Sequence, residues 1–295
     1  MRTLADEVSE ASRRLLAAGL TLADARLDAE VLARHVLGWD RARYLSRTYD
    51  PVKTTFSRQF VALVERRCKR EPVSQITGSR EFWGLAFEVT GSVLTPRPET
   101  ELLVETALSV LTASSRPQHI ADIGTGTGCL AIALAHDCRQ ARISATDTSA
   151  AALAVAKRNA AKHDVVNRIE FYETPFLKGL SGSFDVIVSN PPYIPEQDLA
   201  GLAPEVVRYE PMSALNGGVD GLALIRPLVT DVTSRLRAGG YLMMEIGAGQ
   251  LEAVTELIDR SRLQLTSVRR DLQGFPRVVV VQDGDAVEIS KGKNY

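Results

Sequence analysis

From about residue 119 onward, the chain alternates short apolar runs with longer amphipathic segments. The apolar runs predict strands at 119–124, 142–147, 168–173, 184–190, 240–246 and 277–282. The segments between them predict helices at 127–137, 149–163, 221–236 and 250–260. Continuous apolar strands joined by helices are typical of a parallel sheet that is covered on both faces. The sequence therefore predicts an α/β fold with a doubly wound sheet.

The first 75 residues show a different pattern, with apolar residues at helical spacing. Thr3 with Asp6, and Thr21 with Asp24, resemble capping boxes at two helix starts. Residues 80–95 change to alternation and aromatic residues, which predicts a hairpin. The sequence thus predicts a helical domain at 1–78, a linking β-hairpin at 79–95 and an α/β domain at 96–295.

The composition narrows the class of protein. The net charge is −1, although residues 1–75 carry +4 and the remainder −5, so the whole chain lacks the basic signature of nucleic-acid binding. Three cysteines without a C-x-x-C pair, and scattered histidines, predict neither disulfides nor a metal site. No secretion signal or membrane-length apolar run is recognisable. We expect a cytoplasmic protein.

A glycine-rich turn follows the first predicted strand in the α/β domain, with Gly124, Gly126 and Gly128 in "ADIGTGTGCL". Glycines there permit a tight turn and let a ligand approach the backbone. Asp147 ends the next predicted strand, where its carboxylate can accept hydrogen bonds from both ribose hydroxyls of an adenosine. The dinucleotide pattern G-x-G-x-x-G/A does not fit, because its last position is Cys129. The turn indicates a nucleoside cofactor, and a structural turn is the alternative.

The strand at 184–190 ends in Asn190, Pro191, Pro192 and Tyr193. Ligands bind at the carboxyl ends of strands in such sheets, so Asn190 should face the same crevice as Gly126. The Asn oxygen and a carbonyl freed by proline are two acceptors for one –NH2 group, and Tyr193 offers a flat face for stacking. The turn predicts a site for a planar amino or amide nitrogen, with bases and amides equally eligible. A rigid turn that closes a strand is the alternative.

Further stretches join these motifs: "REPVSQITGSREFWGLAFEV", "VLTPRPETELLVE", "MMEIGAGQ" and "RDLQGFPRVVVV". Together they resemble the release factor glutamine methyltransferases, the HemK/PrmC family, over nearly the whole chain. The P-R-P-E-T-E element at 96–101 is the most specific of the motifs. The resemblance implies a class I S-adenosylmethionine-dependent methyltransferase fold. That fold is Rossmann-like, with a mostly parallel seven-stranded sheet, a small N-terminal helical bundle and a connecting β-hairpin.

The resemblance also implies a reaction. A methyl group would pass from S-adenosyl-L-methionine to the side-chain amide nitrogen (N5) of the glutamine in the Gly-Gly-Gln motif of class 1 peptide chain release factors. The other product would be S-adenosyl-L-homocysteine, and the modification would modulate translation termination. Residues 1–78 would recognise the protein substrate. The expected enzyme is a monomer that needs no metal, no direct nucleic-acid partner and no membrane.

By position, the resemblance implies catalytic roles for Asn190, Pro191 and Tyr193. The implied substrate-binding residues are Asn190, Pro191, Pro192, Tyr193, Arg97 and Glu99. The implied cofactor-binding residues are Gly124, Thr125, Gly126, Thr127, Gly128, Asp147, Pro175 and Asn190. Family members often carry an acid and an aromatic residue where this chain has Thr174 and Pro175. The adenine would therefore use backbone groups or an apolar contact, with Phe176 or Phe171 supplying the ring.

Two other classes of function remain open at this stage. An amino-group methyltransferase acting on DNA or RNA (adenine N6 or guanine N2) shares the Asn-Pro-Pro-Tyr turn. It would be distinguished by a target-recognition domain or a strongly basic channel. A non-catalytic module that kept the fold would be distinguished by failure to bind the cofactor. The near-neutral charge and the P-R-P-E-T-E element favour the protein glutamine.

Overall fold

The computed structural model describes residues 2–111 and 116–283 and divides the chain into two compact units. The first unit runs to Ser79 and also contains Ala203–Tyr209. The second unit contains Arg80–Leu202 and the chain from Glu210 onward. The outer ends of the expected domains, residue 1 and residues 284–295, lie outside the described part of the chain.

The first unit is a bundle of helices. They are α1 (Leu4–Ala17), α2 (Leu22–Leu37), α3 (Arg41–Ser46), α4 (Thr54–Cys68) and α5 (Val73–Thr77). The capping box predicted at the start of α1 is present, because the Thr3 side chain accepts from the Asp6 amide while Asp6 accepts from the Thr3 amide. Leu15, Leu32 and Phe60 are fully buried where α1, α2 and α4 meet. The predicted helical pattern of this region is confirmed.

From Ser79 the chain forms a hairpin and then the α/β elements. The elements are β1 (Ser79–Phe82), β2 (Leu85–Glu88), a 3-10 turn (Pro98–Thr100), α6 (Glu101–Leu111), β3 (His119–Ile123), α7 (Cys129–Asp137), β4 (Arg142–Asp147), α8 (Ala150–Lys162), β5 (Ile169–Glu173), β6 (Phe184–Ser189), α9 (Pro204–Tyr209), α10 (Ile225–Thr233), β7 (Leu236–Glu245), α11 (Leu251–Asp259), β8 (Leu263–Arg270) and β9 (Pro276–Asp283).

Seven strands form one sheet in the order β5-β4-β3-β6-β7-β9-β8. The neighbours from β5 to β7 are parallel, whereas β9 pairs antiparallel with both β7 and β8. Helices α6, α7 and α8 cover one face, and α10 and α11 cover the other. The predicted mostly parallel, doubly covered sheet is confirmed. The order reverses around β3, which places a ligand crevice outside the carboxyl ends of β3, β4 and β6.

The strand register brings the predicted motifs to one edge of the sheet. Ile123 at the end of β3 pairs with Ser189 at the end of β6, so Gly124 and Asn190 leave the sheet side by side. Ser189 also pairs with Met244, which puts Glu245 next to Asn190. The Ser189 hydroxyl donates to the Ile123 carbonyl at 2.8 Å and fixes this junction.

Three elements differ from the sequence prediction. The helix expected at 221–236 is shorter, because Pro227 fits only in the first turn of α10 and the helix ends at Thr233. The last six residues of the parallel strand β7 match the prediction, but the strand begins earlier at Leu236, which pairs with Phe184. The edge strand β8 was absent from the strand prediction because most of its side chains are exposed or half-buried.

Helix α9 belongs to the first unit although its neighbours in sequence belong to the second. Glu205 in α9 accepts hydrogen bonds from Arg67 at 3.2 Å and from Arg70 at 2.7 Å. Arg67 also donates to Asp28 at 2.7 Å. Ion pairs within the unit therefore engage much of the positive charge at the end of α4. The ion pairs of Arg67 and Arg70 with Glu205 stabilise the packing of α9, and these two arginines do not form an open basic surface.

Candidate active site

The glycine turn joins β3 to α7 and has left-handed backbone at all three glycines. Gly126 has a φ of 55°, and a Cβ added there would meet no atom within 4 Å. Gly128 has a φ of 80°, and its Cβ would lie 3.0 Å from Ile132 Cδ1 and 3.1 Å from Ala156 Cβ. Gly126 therefore leaves open space at the turn, whereas Gly128 lets α7 pack against α8.

Asp147 fixes the turn from the end of β4. Its Oδ2 accepts from the Gly126 amide at 2.9 Å, and its Oδ1 accepts from the Ser149 amide at 2.9 Å. A carboxylate oxygen has a second lone pair, so each oxygen can still accept a further hydrogen bond. The carboxylate is thus held in one orientation at the mouth of the crevice.

A second carboxylate, Asp122, lies fully buried beneath the turn. Its Oδ2 accepts from the Thr125 hydroxyl at 2.6 Å and from the Ala131 amide at 3.2 Å. Within the described residues, its Oδ1 has no hydrogen-bond partner. Burial raises the pKa of Asp122 to about 7, because removal from water disfavours the charged form.

A cavity of about 300 Å³ opens at this edge of the second unit, within the range of about 300–1,000 Å³ for small-molecule sites. The glycine turn and Asp147 form one wall, and Ser189–Pro192 form another. Apolar side chains complete the lining, among them Val93, Pro175, Phe176, Leu224 and Leu228. The cavity therefore combines one fixed carboxylate, open backbone and apolar surface.

The stretch after β5 also lines the cavity, through Thr174, Pro175 and Phe176. Phe176 has a φ of 49°, a left-handed conformation that costs a non-glycine residue about 1–2 kcal/mol. The Leu177 amide donates to Asp231 at 2.9 Å and helps hold this turn. Of the two aromatic residues considered from the sequence, Phe176 lines the cavity, whereas Phe171 packs against the core beneath the sheet.

Asn190 is connected to a buried carboxylate. Its Nδ2 donates to the Thr100 hydroxyl at 3.1 Å, and that hydroxyl donates to Glu245 Oε2 at 2.7 Å. The Tyr193 hydroxyl donates to the other oxygen of Glu245 at 3.2 Å. Burial raises the pKa of Glu245 and that of Tyr193. One carboxylate therefore links both polar side chains of the Asn-Pro-Pro-Tyr turn.

The backbone of the same turn is also fixed. Gln250 donates from Nε2 to the Tyr193 carbonyl at 2.9 Å and accepts from the Gly247 amide at 2.8 Å. Arg277 binds the carbonyl of Ile246 at 3.3 Å. These contacts anchor the turn to the loop after β7.

The P-R-P-E-T-E element is placed beside the cavity by the turn before α6. Arg97 forms an ion pair with Glu210, which is itself buried. Burial raises the pKa of Glu210, and the positive charge of Arg97 opposes that change. Glu99 is exposed to solvent, and Thr100 is buried.

The cavity brings together seven of the residues singled out from the sequence: Gly124, Gly126, Asp147, Pro175, Asn190, Pro191 and Pro192. Six others do not line it. Thr125 and Thr127 are buried, Gly128 packs against α8, Tyr193 contacts Glu245, Arg97 pairs with Glu210, and Glu99 faces solvent.

Neither Thr100 nor Glu245 was among the site residues predicted from the sequence. The one available signal for Thr100 was its place in the P-R-P-E-T-E element. For Glu245 it was an acid at the end of an apolar strand. Within residues 2–111 and 116–283, no group of acids, histidines and cysteines has the arrangement of a metal site.

An adenosyl cofactor fits this set of residues. The carboxylate of Asp147 can accept from ribose hydroxyls, and the Gly126 turn leaves room for close backbone contact. Pro175 and Phe176 offer apolar contact to a purine. Next to this region, Asn190 and the prolines line the part of the cavity where a planar nitrogen could be held.

Comparisons with known proteins identify the family. The family model described as "PrmC N-terminal domain" matches residues 8–78, and "Methyltransferase small domain" matches residues 98–209. Two relatives are each named release factor glutamine methyltransferase. The protein from Cereibacter sphaeroides is 42% identical over 275 residues, which cover 93% of this chain and 96% of that protein. The protein from Geobacter sulfurreducens is 42% identical over 260 residues, covering 87% and 89%.

Solved structures agree on the fold of the catalytic part. A methyltransferase from Pyrococcus furiosus is similar with a TM-score of 0.52 at 18% identity, over 75% of this chain and 98% of that chain. The hMettl16 catalytic domain is similar with a TM-score of 0.56 at 16% identity, over 79% and 82%. In the described ranges, no helix has both the length and the apolar character that crossing a bilayer requires. From its sequence relatives and the matched family models, this chain belongs to the family of release factor glutamine methyltransferases.

Proposed function

We propose that this enzyme methylates the side-chain amide nitrogen (N5) of the glutamine in the Gly-Gly-Gln motif of class 1 peptide chain release factors, with S-adenosyl-L-methionine as donor. The observation that carries the proposal is a single cavity that the glycine turn, Asp147 and Asn190–Pro192 line together. The full-length similarity to relatives of that name supports the choice of substrate. The modified release factor would then act in translation termination.

The cofactor-binding role falls to one side of the cavity. Gly124, Gly126, Asp147 and Pro175 line that side. Thr125, Thr127 and Gly128 would act indirectly, because they shape the turn from buried positions. When bound, S-adenosylmethionine supplies a methyl group that its positively charged sulfur already activates. The residues of the chain therefore need only bind, orient and shield the reacting groups.

The substrate-binding and catalytic role falls to the Asn-Pro-Pro-Tyr turn. An amide nitrogen is a poor nucleophile because its lone pair is delocalised. The side-chain oxygen of Asn190 and the carbonyl oxygen of Pro191 can each accept one hydrogen of the glutamine –NH2 group. Two acceptors favour the positive charge that develops on nitrogen as it takes the methyl group, after which one proton leaves to solvent. Tyr193 supports the turn through Glu245.

The P-R-P-E-T-E element would support the mouth of the site. Arg97 neutralises Glu210, and the adjoining residues Pro211, Ser213 and Ala214 line the cavity. This ion pair would keep that wall in place while a protein substrate binds. Glu99 is exposed and could contact the substrate directly.

Residues 1–78 are proposed as the substrate-recognition domain, 79–95 as the linking β-hairpin and 96–295 as the catalytic domain. The separate helical core and the "PrmC N-terminal domain" match at 8–78 support the first assignment. Exposed apolar side chains such as Leu27 and Leu45 are available for contact with a protein. Charged substitutions at these positions should raise the KM for the release factor and leave cofactor affinity unchanged.

Incubation of the enzyme with purified release factor and isotopically labelled cofactor, followed by peptide mass spectrometry, tests the reaction. One added methyl on the Gly-Gly-Gln peptide is expected. A release factor whose acceptor glutamine is replaced by asparagine is the matched control and should remain unmodified. Absence of the methyl, or faster methylation of transfer RNA, ribosomal RNA or DNA than of release factor, would overturn the proposal.

The proposal extends to a cytoplasmic monomer that requires neither metal nor nucleic acid. Turnover should therefore persist in the presence of a chelator and after nuclease treatment. Sedimentation should give the mass of one 32.1 kDa chain. Loss of activity with the chelator, or a stable dimer, would contradict these parts without affecting the choice of substrate.

A further inference from the structure

We propose that Glu245 and Thr100 are positioning residues that fix the side-chain amide of Asn190 with its oxygen turned toward the substrate. The inference rests on the proposed function, because it assigns the direction of the hydrogen bonds at that site. The three side chains form one continuous series, from Asn190 Nδ2 to the Thr100 hydroxyl and on to Glu245 Oε2.

The fold brings these residues together from distant parts of the sequence. Asn190 follows β6, Glu245 ends β7, and the pairing of Ser189 with Met244 sets them side by side. Thr100 lies at the turn into α6. Thr100 is 3% exposed and Glu245 is 1% exposed, so water does not compete for their hydrogen bonds.

The direction of the series follows from the chemistry of each group. Hydrogen bonds from Thr100 and Tyr193, together with the positive charge of Arg277, oppose the effect of burial on the pKa of Glu245 and favour its ionised form. An ionised carboxylate only accepts, so Thr100 donates its single hydrogen to Glu245. The Thr100 oxygen is then available only as an acceptor toward Asn190, which must present Nδ2. The Asn190 oxygen consequently lies on the other side of the amide group, where it can accept from a glutamine –NH2.

Glu245 also accepts from a second donor, which excludes a role as the base that deprotonates the substrate. Its Oε1 accepts from the Tyr193 hydroxyl at 3.2 Å, while its Oε2 accepts from Thr100. Because protein donors engage both oxygens and the side chain is buried, Glu245 cannot reach the substrate amide as a base. It acts through Asn190 and Tyr193 instead.

Reversal of these hydrogen bonds would prevent Asn190 from binding the substrate amide. An Asn190 amide turned by 180° would aim two N–H donors at the donor hydrogens of the substrate –NH2 group. Glutamine in place of Glu245 has only one acceptor atom, so either Thr100 or Tyr193 would have to reverse its hydrogen bond. The negative charge of Glu245 therefore sets the polarity of the Asn190 side chain.

The test compares Thr100→Val with Thr100→Ser in the full chain. Valine has a similar size but no hydroxyl, whereas serine keeps the hydroxyl. Thr100→Val should lower kcat by about 10–100-fold, by analogy with the loss of a side chain that orients a metal ligand. Its Kd for the cofactor, from calorimetry, should stay within about twofold of wild type, which shows that the cavity is folded. Thr100→Ser should restore most of kcat, and Glu245→Gln should resemble the valine variant.

A kcat for Thr100→Val equal to that of Thr100→Ser would overturn the inference. Neutron diffraction from the deuterium-exchanged wild-type enzyme gives a second test that needs no activity. Deuterons on Asn190 Nδ2 facing Thr100, and on the Thr100 hydroxyl facing Glu245, are expected. A deuteron on Glu245 facing Thr100 would refute the polarity. Failure of the wild type to methylate release factor would refute the proposed function alone, because the deuteron positions do not depend on the acceptor.

Discussion

Alanine at two neighbouring glycines of the cofactor turn should have two different effects. Gly126 and Gly128 both have positive φ, so alanine at either should cost about 1–2 kcal/mol in backbone strain. At Gly128 the new Cβ would also lie 3.0 Å from Ile132 Cδ1 and 3.1 Å from Ala156 Cβ. Accommodating these close contacts should lower the free energy of unfolding by a further amount of about 1–3 kcal/mol. At Gly126 the Cβ meets no atom within 4 Å.

Thermal unfolding without cofactor measures the difference in stability between the two alanine variants. Gly128→Ala should melt at least about 2 °C below Gly126→Ala, since 1 kcal/mol shifts the midpoint of a domain of this size by roughly 2–4 °C. Calorimetry measures the difference in their affinity for the cofactor. Gly126 lines the cavity, so its added methyl should raise the cofactor Kd about tenfold or more, a loss of about 1.4 kcal/mol. Equal melting temperatures would refute the packing argument, and an unchanged Kd for Gly126→Ala would refute close approach of the cofactor.

Three further substitutions test other parts of the site. Asn190→Ala should lower kcat roughly 100–1,000-fold, the cost of losing one preorganised group, with a smaller change in cofactor Kd; near-normal turnover would contradict its assigned role. Asp147→Ala should mainly weaken cofactor binding, because it removes the acceptor for the ribose and frees the Gly126 amide; unchanged affinity by calorimetry would contradict this. Asp122 has a pKa raised to about 7, so its contribution to stability is present below about pH 4 and is lost as the pH rises through about 7. In melting curves across that range, Asp122→Asn should remove this loss, and an identical pH profile for both proteins would contradict the raised pKa.

The periodicity of the sequence was sufficient to predict the parallel part of the fold. Strands β3 and β6 are apolar along most of their length and almost wholly buried, so their hydrophobic signal is strong and local. Strand β8 was not recognised, because an edge strand with exposed Gln264, Thr266 and Ser267 carries little such signal. The early start of β7 at Leu236 depends on its pairing with Phe184, a contact between residues far apart in the chain.

The candidate site was predictable where chemistry coincides with a turn motif. Gly126 and Asn190 follow apolar strands in recognisable patterns, and the register then places their strands side by side. The role of Glu245 could not be predicted in the same way. Its partners Thr100 and Tyr193 are 145 and 52 residues away in sequence, and only the packed structure makes one carboxylate serve both.

The position of α9 has a consequence for truncation experiments. The chain leaves the second unit after Leu202 and returns to it at Glu210, so no single cut separates the two units. A fragment that begins at Arg80 would carry Glu205 without Arg67 and Arg70, and a fragment that ends at Ser79 would lack Glu205. Either cut would break the ion pairs of Glu205 with Arg67 and Arg70, which lie within the first unit. Inactivity of such fragments would therefore not distinguish a packing defect from lost substrate recognition, and point substitutions in the full chain are the appropriate way to separate recognition from catalysis.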